Sequence, residues 1–262
     1  MLIRSFLGFR DIPHGAQLGH HWLIVESWSG RVIIIREIPR CLSMVPAMHT
    51  PQTETPILIV EGLSARRGGR AIFENVSFHL TSGEAAVITG PNGSGKSTLL
   101  RVLAGLLPLD NGMVTVTQEL PYAICYAGHR DGLKGALTVF ENLSFWSKIY
   151  GVEMAATQQV IDRMALNAVA DMPADFLSAG WRRRAGLARL LLSNAPIWLL
   201  DEPYTALDTE NVGRIDAVLS EHVTGGGIAV LATHQLPGFE PNHRIEMSDY
   251  PAVIAAEMER DW

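Results

Sequence analysis

Gly90, Pro91, Asn92, Gly93, Ser94, Gly95, Lys96 and Ser97 fit the pattern G-x-x-x-x-G-K-[ST], and their types and spacing suit them to hold a chain of phosphates. Residues 84–89 before them read as a buried strand. Residues 97–104 after them read as a helix with one apolar face. In that setting the loop's backbone N–H groups form an anion nest, and the helix N-terminus adds partial positive charge. Gly93 and Gly95 let the backbone close around a ligand without a Cβ in the way. Lys96 is placed to reach the β- and γ-phosphates, Ser97 to offer its hydroxyl to Mg²⁺, and Thr98 to lie in the first helical turn over the ligand. A Gly-rich turn matching by accident is the bland alternative, and the flanking strand and helix make it remote. The stretch predicts a nucleoside triphosphate site.

A second group of residues can serve the same chemistry. The apolar run 196–200 delivers Asp201 to the end of a predicted core strand, and Glu202 follows it. An acid at that point can hold Mg²⁺, and the next one can take a proton from an attacking water. Taken alone, an apolar run followed by Asp-Glu is more often a strand and its turn; beside a phosphate loop it gains weight. Leu177, Ser178, Ala179, Gly180 and Trp181 open a helix rich in arginine. Ser178 is a good N-cap in its own right, and a helix start carrying Ser and Gly is also an anion site. Arg182, Arg183 and Arg184 read as a solvated face or as flanks of an interface. His234 closes another apolar run, where a lone histidine is most often a surface residue.

These groups need a scaffold. Predicted strands at 57–61, 71–80, 84–89, 113–117, 122–127, 196–201 and 227–232 alternate with predicted helices at 97–104, 137–150, 153–169, 178–193 and 208–222. A short segment at 243–247 follows. Such alternation predicts a mostly parallel sheet covered by helices. With 262 residues, 47% of them apolar, the chain can bury one sizeable core. A net charge of −6 argues against bulk electrostatic binding of nucleic acid. Cys41 and Cys125, far apart, form no metal or disulfide framework and suggest a reducing compartment. No run approaches the ~20 apolar residues of a membrane span, and the first residues make a poor signal peptide. The chain reads as soluble by itself and cytosolic.

Residues 1–54 stand apart. They carry more arginine than acid, with Trp22 and Trp28 in no motif spacing. They read as a disordered extension, as an untranslated stretch ahead of a true start at Met44 or Met48, or, less well, as a membrane- or partner-binding arm. Residues 50–56 have linker composition, 55–250 the make-up of the main domain with a helical insert at about 137–180, and 251–262 that of a tail.

Together the phosphate loop, the Ser178 helix and the Asp201-Glu202 strand end resemble the ATP-binding-cassette (ABC) ATPases. Ala206-Leu207-Asp208 is similar to the loop that crosses between subunits there, and His234 to the switch histidine that contacts the γ-phosphate. The resemblance covers about 57–250. It implies an α/β fold of the P-loop NTPase, ABC nucleotide-binding-domain type: a mostly parallel sheet with an antiparallel β portion and a helical subdomain. It further implies ATP and Mg²⁺ as ligands, and a homodimer in which Ser178, Gly180 and Asp208 serve the ATP held by the opposite copy. Four positions depart from the pattern, Ala179 among them where glycine is common. His129, which the resemblance counts with the nucleotide-binding residues, stands where a coupling glutamine is usual, Arg66 or Arg67 where an aromatic residue stacks on adenine, and Trp181 where glutamine is common. Residues 126–134, 137–146, 177–180 and 198–208 resemble the ATP-binding subunit of the cytochrome c maturation system, the haem-exporter type. That implies membrane permease subunits of the same system as partners, no nucleic acid, and a peripheral position on the cytoplasmic face of a bacterial inner membrane. A transporter for a lipid or drug, and a soluble ATPase acting on ribosomes or DNA, are the competing readings.

Overall fold

The computed structural model describes residues 23–26, 32–35, 57–116 and 123–251. The chain divides into two units, Met1–Gln52 and Thr53–Trp262. In the first, strands β1 (Leu23–Glu26) and β2 (Val32–Ile35) pair antiparallel, with Leu23 opposite Ile35. The expectations attached to Trp22, Trp28, Cys41, Met44 and Met48, to the linker at 50–56 and to the tail from 252 on lie outside the described residues.

The second unit holds two sheets. β3 (Ile57–Arg67) and β4 (Arg70–Thr81) form a hairpin across Gly68 and Gly69, and β6 (Asn111–Val116) pairs antiparallel with β3, giving the order β4-β3-β6. β6 starts earlier than its alternation suggests. Gly112, at φ 93°, lies where a Cβ would come within 2.5 Å of the Glu61 carbonyl, so only glycine lets β6 lie this close to β3. The larger sheet is all parallel, five strands in spatial order from His243–Glu246 through Ala85–Thr89, Ile228–Ala232 and Ile197–Asp201 to Ile124–Ala127. Its strands are β5 (Ala85–Thr89), β7 (Ile124–Ala127), β8 (Ile197–Asp201), β9 (Ile228–Ala232) and β10 (His243–Glu246).

Both faces of this sheet are covered, and that is why its central strands read as unbroken apolar runs. On β8, Ile197 and Leu199 join a core with Leu99, Leu100 and the β3–β4 hairpin. Trp198 and Leu200 point the other way, into a core built by the helices. Leu199 and Leu200 are wholly buried, each contributing about 1.5–3 kcal/mol of apolar transfer.

Helix α1 (Lys96–Leu103) follows the phosphate loop; α2 (Val139–Tyr150), α3 (Met154–Arg163) and α4 (Ala179–Ser193) form the helical layer; α5 (Thr209–Thr224) leads to β9. Thr138 starts α2 two residues later than its apolar spacing predicts. Its hydroxyl accepts from Glu141 N at 3.1 Å, and the Glu141 carboxylate accepts from Thr138 N at 2.9 Å, a capping box. The predicted helix at 153–169 is corrected: α3 stops at Arg163. Ala165 takes a left-handed φ of 50°, and Arg184 donates to the Met164 and Ala165 carbonyls at 3.1 Å each, meeting the acceptors that a longer helix would have used. A separate 3₁₀ turn, Asn167–Val169, occupies the remainder.

Candidate functional site

β5 ends at Thr89, and the chain turns through Gly90 (φ 136°), Gly93 (φ 84°) and Gly95 (φ 104°) into α1. Two of these glycines are dictated by space as well as by φ. A Cβ on Gly90 would lie 2.9 Å from Ser94 Oγ and 3.0 Å from Glu246 Oε1. One on Gly95 would lie 2.8 Å from Ile72. Gly95 caps α1 with no side-chain hydrogen bond, which leaves the first amides of Lys96, Ser97 and Thr98 for a ligand. Ser94 Oγ is buried in the loop without a protein partner. Lys96 Nζ donates to the Gly90 carbonyl at 2.7 Å and the Pro91 carbonyl at 3.1 Å, folding back over the loop it would share with phosphate oxygens. β10 braces the turn from behind. Glu246 accepts from Thr89 Oγ1 at 2.8 Å, and its bond from the Ser248 hydroxyl holds its carboxyl below the usual carboxylate range.

Across the loop stands the end of β8. Asp201, buried, accepts from Ser97 Oγ at 2.8 Å and from the Tyr126 hydroxyl at 3.3 Å. Burial pushes the Tyr126 phenol up, so it stays a donor at neutral pH. The hydroxyl and carboxylate oxygens of Ser97 and Asp201 are the hard donors that Mg²⁺ selects, and their adjacency fits that ion. Glu202 is left-handed, at φ 51°, with its N–H donating to the Ala232 carbonyl of β9 at 2.8 Å. This backbone aims its carboxylate at His234, whose Nε2 lies 3.6 Å from Glu202 Oε1, 3.4 Å from Lys96 Nζ and 2.9 Å from Asn92 Oδ1. The structure therefore brings Asn92, Lys96, Ser97, Asp201, Glu202 and His234 together. Glu202 and His234 are partly exposed there, within reach of water and ligand.

A second cluster forms at the start of α4. Ser178 caps the helix, accepting from Trp181 N at 3.4 Å. Gly180 packs so tightly that a Cβ would lie 2.8 Å from the carbonyl of Ala206, itself left-handed at φ 64°. Asp208 caps α5 through Asn211 N at 2.9 Å, a bond that holds its carboxyl below the usual range. Ser178, Gly180, Trp181, Ala206, Asp208 and their neighbours line an open cavity of about 360 Å³. Trp181 fills the glutamine position with its ring under the Arg184 guanidinium, 3.9 Å from the centroid. No hydrogen bond among the described residues ties Ser178 or Asp208 to the phosphate loop. His129 is exposed at the exit of β7 and likewise bonds none of the phosphate-loop residues. Arg66, near the expected adenine position, pairs with Asp110 at 3.4 Å.

The solvated-face reading of the arginines is corrected: Arg183 and Arg184 are buried. The guanidinium of Arg183 reaches the carbonyls of Asp201 and Glu202 at the end of β8 and of Gly128 after β7. A signal was there to read, since Arg183 lies four residues before Leu187 and seven before Leu190, on the buried stripe of α4. The Asn92–His234 and Tyr126–Asp201 contacts join distant stretches and left no such trace.

The family model of the ABC transporter matches residues 73–205. The chain is 46% identical over 202 residues to the cytochrome c biogenesis ATP-binding export protein CcmA of Cereibacter sphaeroides, covering 77% of this chain and 94% of that one. It is 46% identical over 196 residues to the protein of the same name from Paracoccus denitrificans, covering 75% and 91%. Among solved structures, a dimeric ATP-binding cassette in a post-hydrolysis state with ADP and Pi aligns with a TM-score of 0.61 and 25% identity over 68% of this chain and 88% of that one.

Proposed function

Because the chain belongs to the ABC transporter family, among the ATP-binding subunits of the cytochrome c biogenesis export type, we propose that it hydrolyses ATP to drive haem handover or export for c-type cytochromes. The observation that carries the hydrolytic part is the approach of Glu202 and His234 to within 3.6 Å beside Lys96.

ATP enters with its phosphates on the amides of residues 93–98, and Lys96 turns from the loop carbonyls to the β- and γ-phosphate oxygens. Ser97 and Asp201 would hold Mg²⁺, which supplies positive charge against the phosphates. Glu202 accepts the proton of the attacking water, and Asn92 and Glu202 orient the His234 ring toward the γ-phosphate. Lys96 and His234 then offset the charge that develops on the γ-phosphoryl oxygens. Ser178, Gly180 and Asp208 complete the site of a second copy, which accounts for their lying in a cluster of their own. Residues 55–250 form the ATPase domain. No helix among the described residues is long and apolar enough to cross a membrane. The chain works from the cytoplasmic face of a bacterial inner membrane, on permease subunits of the cytochrome c maturation system.

The test is deletion of the gene in a host that makes c-type cytochromes, with wild type or Lys96→Ala returned on a plasmid and covalent haem stained. Loss on deletion, restored by wild type alone, supports the reading. Normal covalent haem without the gene leaves an ATPase that serves another substrate.

A further inference from the structure

Arg183 ties the head of α4 to the ends of β7 and β8. It is 5% exposed, on the second turn of α4, the helix that Ser178 caps. Its Nη2 donates to the Asp201 carbonyl at 2.6 Å and the Glu202 carbonyl at 2.9 Å, and its Nε to the Pro203 carbonyl at 3.4 Å. Its Nη1 donates to the Gly128 carbonyl at 2.8 Å and to Asp131 Oδ1 at 3.3 Å. A guanidinium has five N–H donors in a rigid plane, and all five are committed here.

The placement bears on Glu202 in particular. A left-handed glutamate is held only where its surroundings over-determine it. The Glu202 N–H is fixed by Ala232, and its carbonyl, on the other side of the same residue, by Arg183. With both backbone groups fixed, the Cα–Cβ direction from which the carboxylate extends is fixed as well. The same side chain grips Gly128, next to His129, and the two exits it joins belong to β8 and β7. α4 packs closely on the loop after β7, since a Cβ at Gly186 would lie 2.7 Å from the Asp131 carbonyl. A rotation of α4 therefore pulls on the Glu202 backbone through one buried plane.

We infer that Arg183 is a positioning residue for hydrolysis: it sets the Glu202 carboxylate according to the position of the α4 helix and the His129 loop. The inference rests on the reading of Glu202 as the base. The side-chain partners of Arg183 are Gly128, Asp131, Asp201, Glu202 and Pro203, none of them in the phosphate loop, so it acts through Glu202.

The experiment is a double-mutant cycle on steady-state ATP hydrolysis by the full chain assembled with its membrane subunits, in wild type, Arg183→Gln, Glu202→Gln and the double variant. Expected is a fall in kcat of about tenfold or more for Arg183→Gln, with KM for ATP within about threefold. In the Glu202→Gln background the same substitution lowers the residual rate less than about twofold, because the group it positions is already gone. An equal loss in both backgrounds, or a loss carried by KM, overturns the inference while leaving Glu202 as the base. A Glu202→Gln protein as fast as wild type overturns the reading of Glu202, and the inference with it. If Arg183→Gln does not assemble, Arg183→Lys takes its place in the cycle. It keeps the charge but cannot span both loops, so kcat falls by about threefold at unchanged KM. An unchanged kcat in Arg183→Lys counts against the inference.

Discussion

His222 and Trp198 lie face to face, ring centroids 3.7 Å apart and planes 7° from parallel, at the end of the sheet where β8 and β9 begin. The imidazole donates from Nε2 to the Ile228 carbonyl at 3.2 Å. Burial holds this histidine below its ordinary value, because the charged form loses water that the stack cannot replace. The sign follows from linkage. The unfolded chain takes up the proton near pH 6.5, the folded chain only at lower pH, so acid favours unfolding. Stability from this residue is complete above the unfolded value and is lost as pH falls from about 6.5 toward the folded one. His222→Phe keeps the stack and removes the proton. Denaturant midpoints between pH 7 and pH 5 should fall less steeply in the variant, by at most about 1.4 kcal/mol per pH unit, the limit for one proton. Parallel profiles would show that His222 titrates alike in both states.

At the scale of elements, one asparagine hangs a whole connection. Asn142, buried in the first turn of α2, accepts from Lys134 N at 2.8 Å. Its Nδ2 lies within 3.1 Å of the Lys134, Leu137 and Thr138 carbonyls. The loop after β7, which carries His129 and Asp131, is thus fastened at its far end to the helical layer. Asn142→Ala removes the hydrogen bonds of a buried side-chain amide, while the Lys134, Leu137 and Thr138 carbonyls keep the backbone N–H groups of residues 137, 174 and 142 as donors; it should cost about 2–4 kcal/mol, read as a lower thermal midpoint with α2's capping box still present. Thr138→Ala, which removes only the exposed cap, should cost about 1 kcal/mol. Equal losses would mean that the loop is held by packing rather than by Asn142. The elements themselves were largely legible, because β5, β8 and β9 are buried on both faces and α1 follows a glycine turn. What was not legible were the ends that tertiary contacts decide. β6 begins early where Gly112 meets Glu61, and α3 breaks at Ala165, where the stop is supplied by Arg184 from another helix. Local sequence holds no record of such a partner.

The same division runs through the molecule as a whole. The groups of the candidate site were visible as motifs, each contiguous in sequence, and the fold brings one set to the phosphate loop and the other to the head of α4. Arg183 was misread because a run of three arginines looks solvated until the helix is packed. In one copy, the residues that line the Ser178 cavity include none of the phosphate loop. Two copies related by a twofold axis would set each half against the other's complement, an isologous arrangement in which both ATP molecules lie between subunits. In such an arrangement association would depend on ATP, and hydrolysis, by removing the γ-phosphate from between the halves, would dissolve it. Glu202→Gln keeps the size of the side chain but replaces one acceptor oxygen with an NH2 donor and would not accept the water's proton. With Mg-ATP this variant should run on light scattering at twice its 28.7 kDa, and should return to single mass with ADP. Wild type under turnover should show little of the larger species. Ser178→Arg, placed in the Glu202→Gln background, should abolish the doubling while leaving nucleotide binding by each copy within about threefold, since it blocks the opposing half and not the loop. A doubled mass that persists without nucleotide, or in the Ser178→Arg variant, would mean that the copies meet through another surface and that the two half-sites do not complete each other.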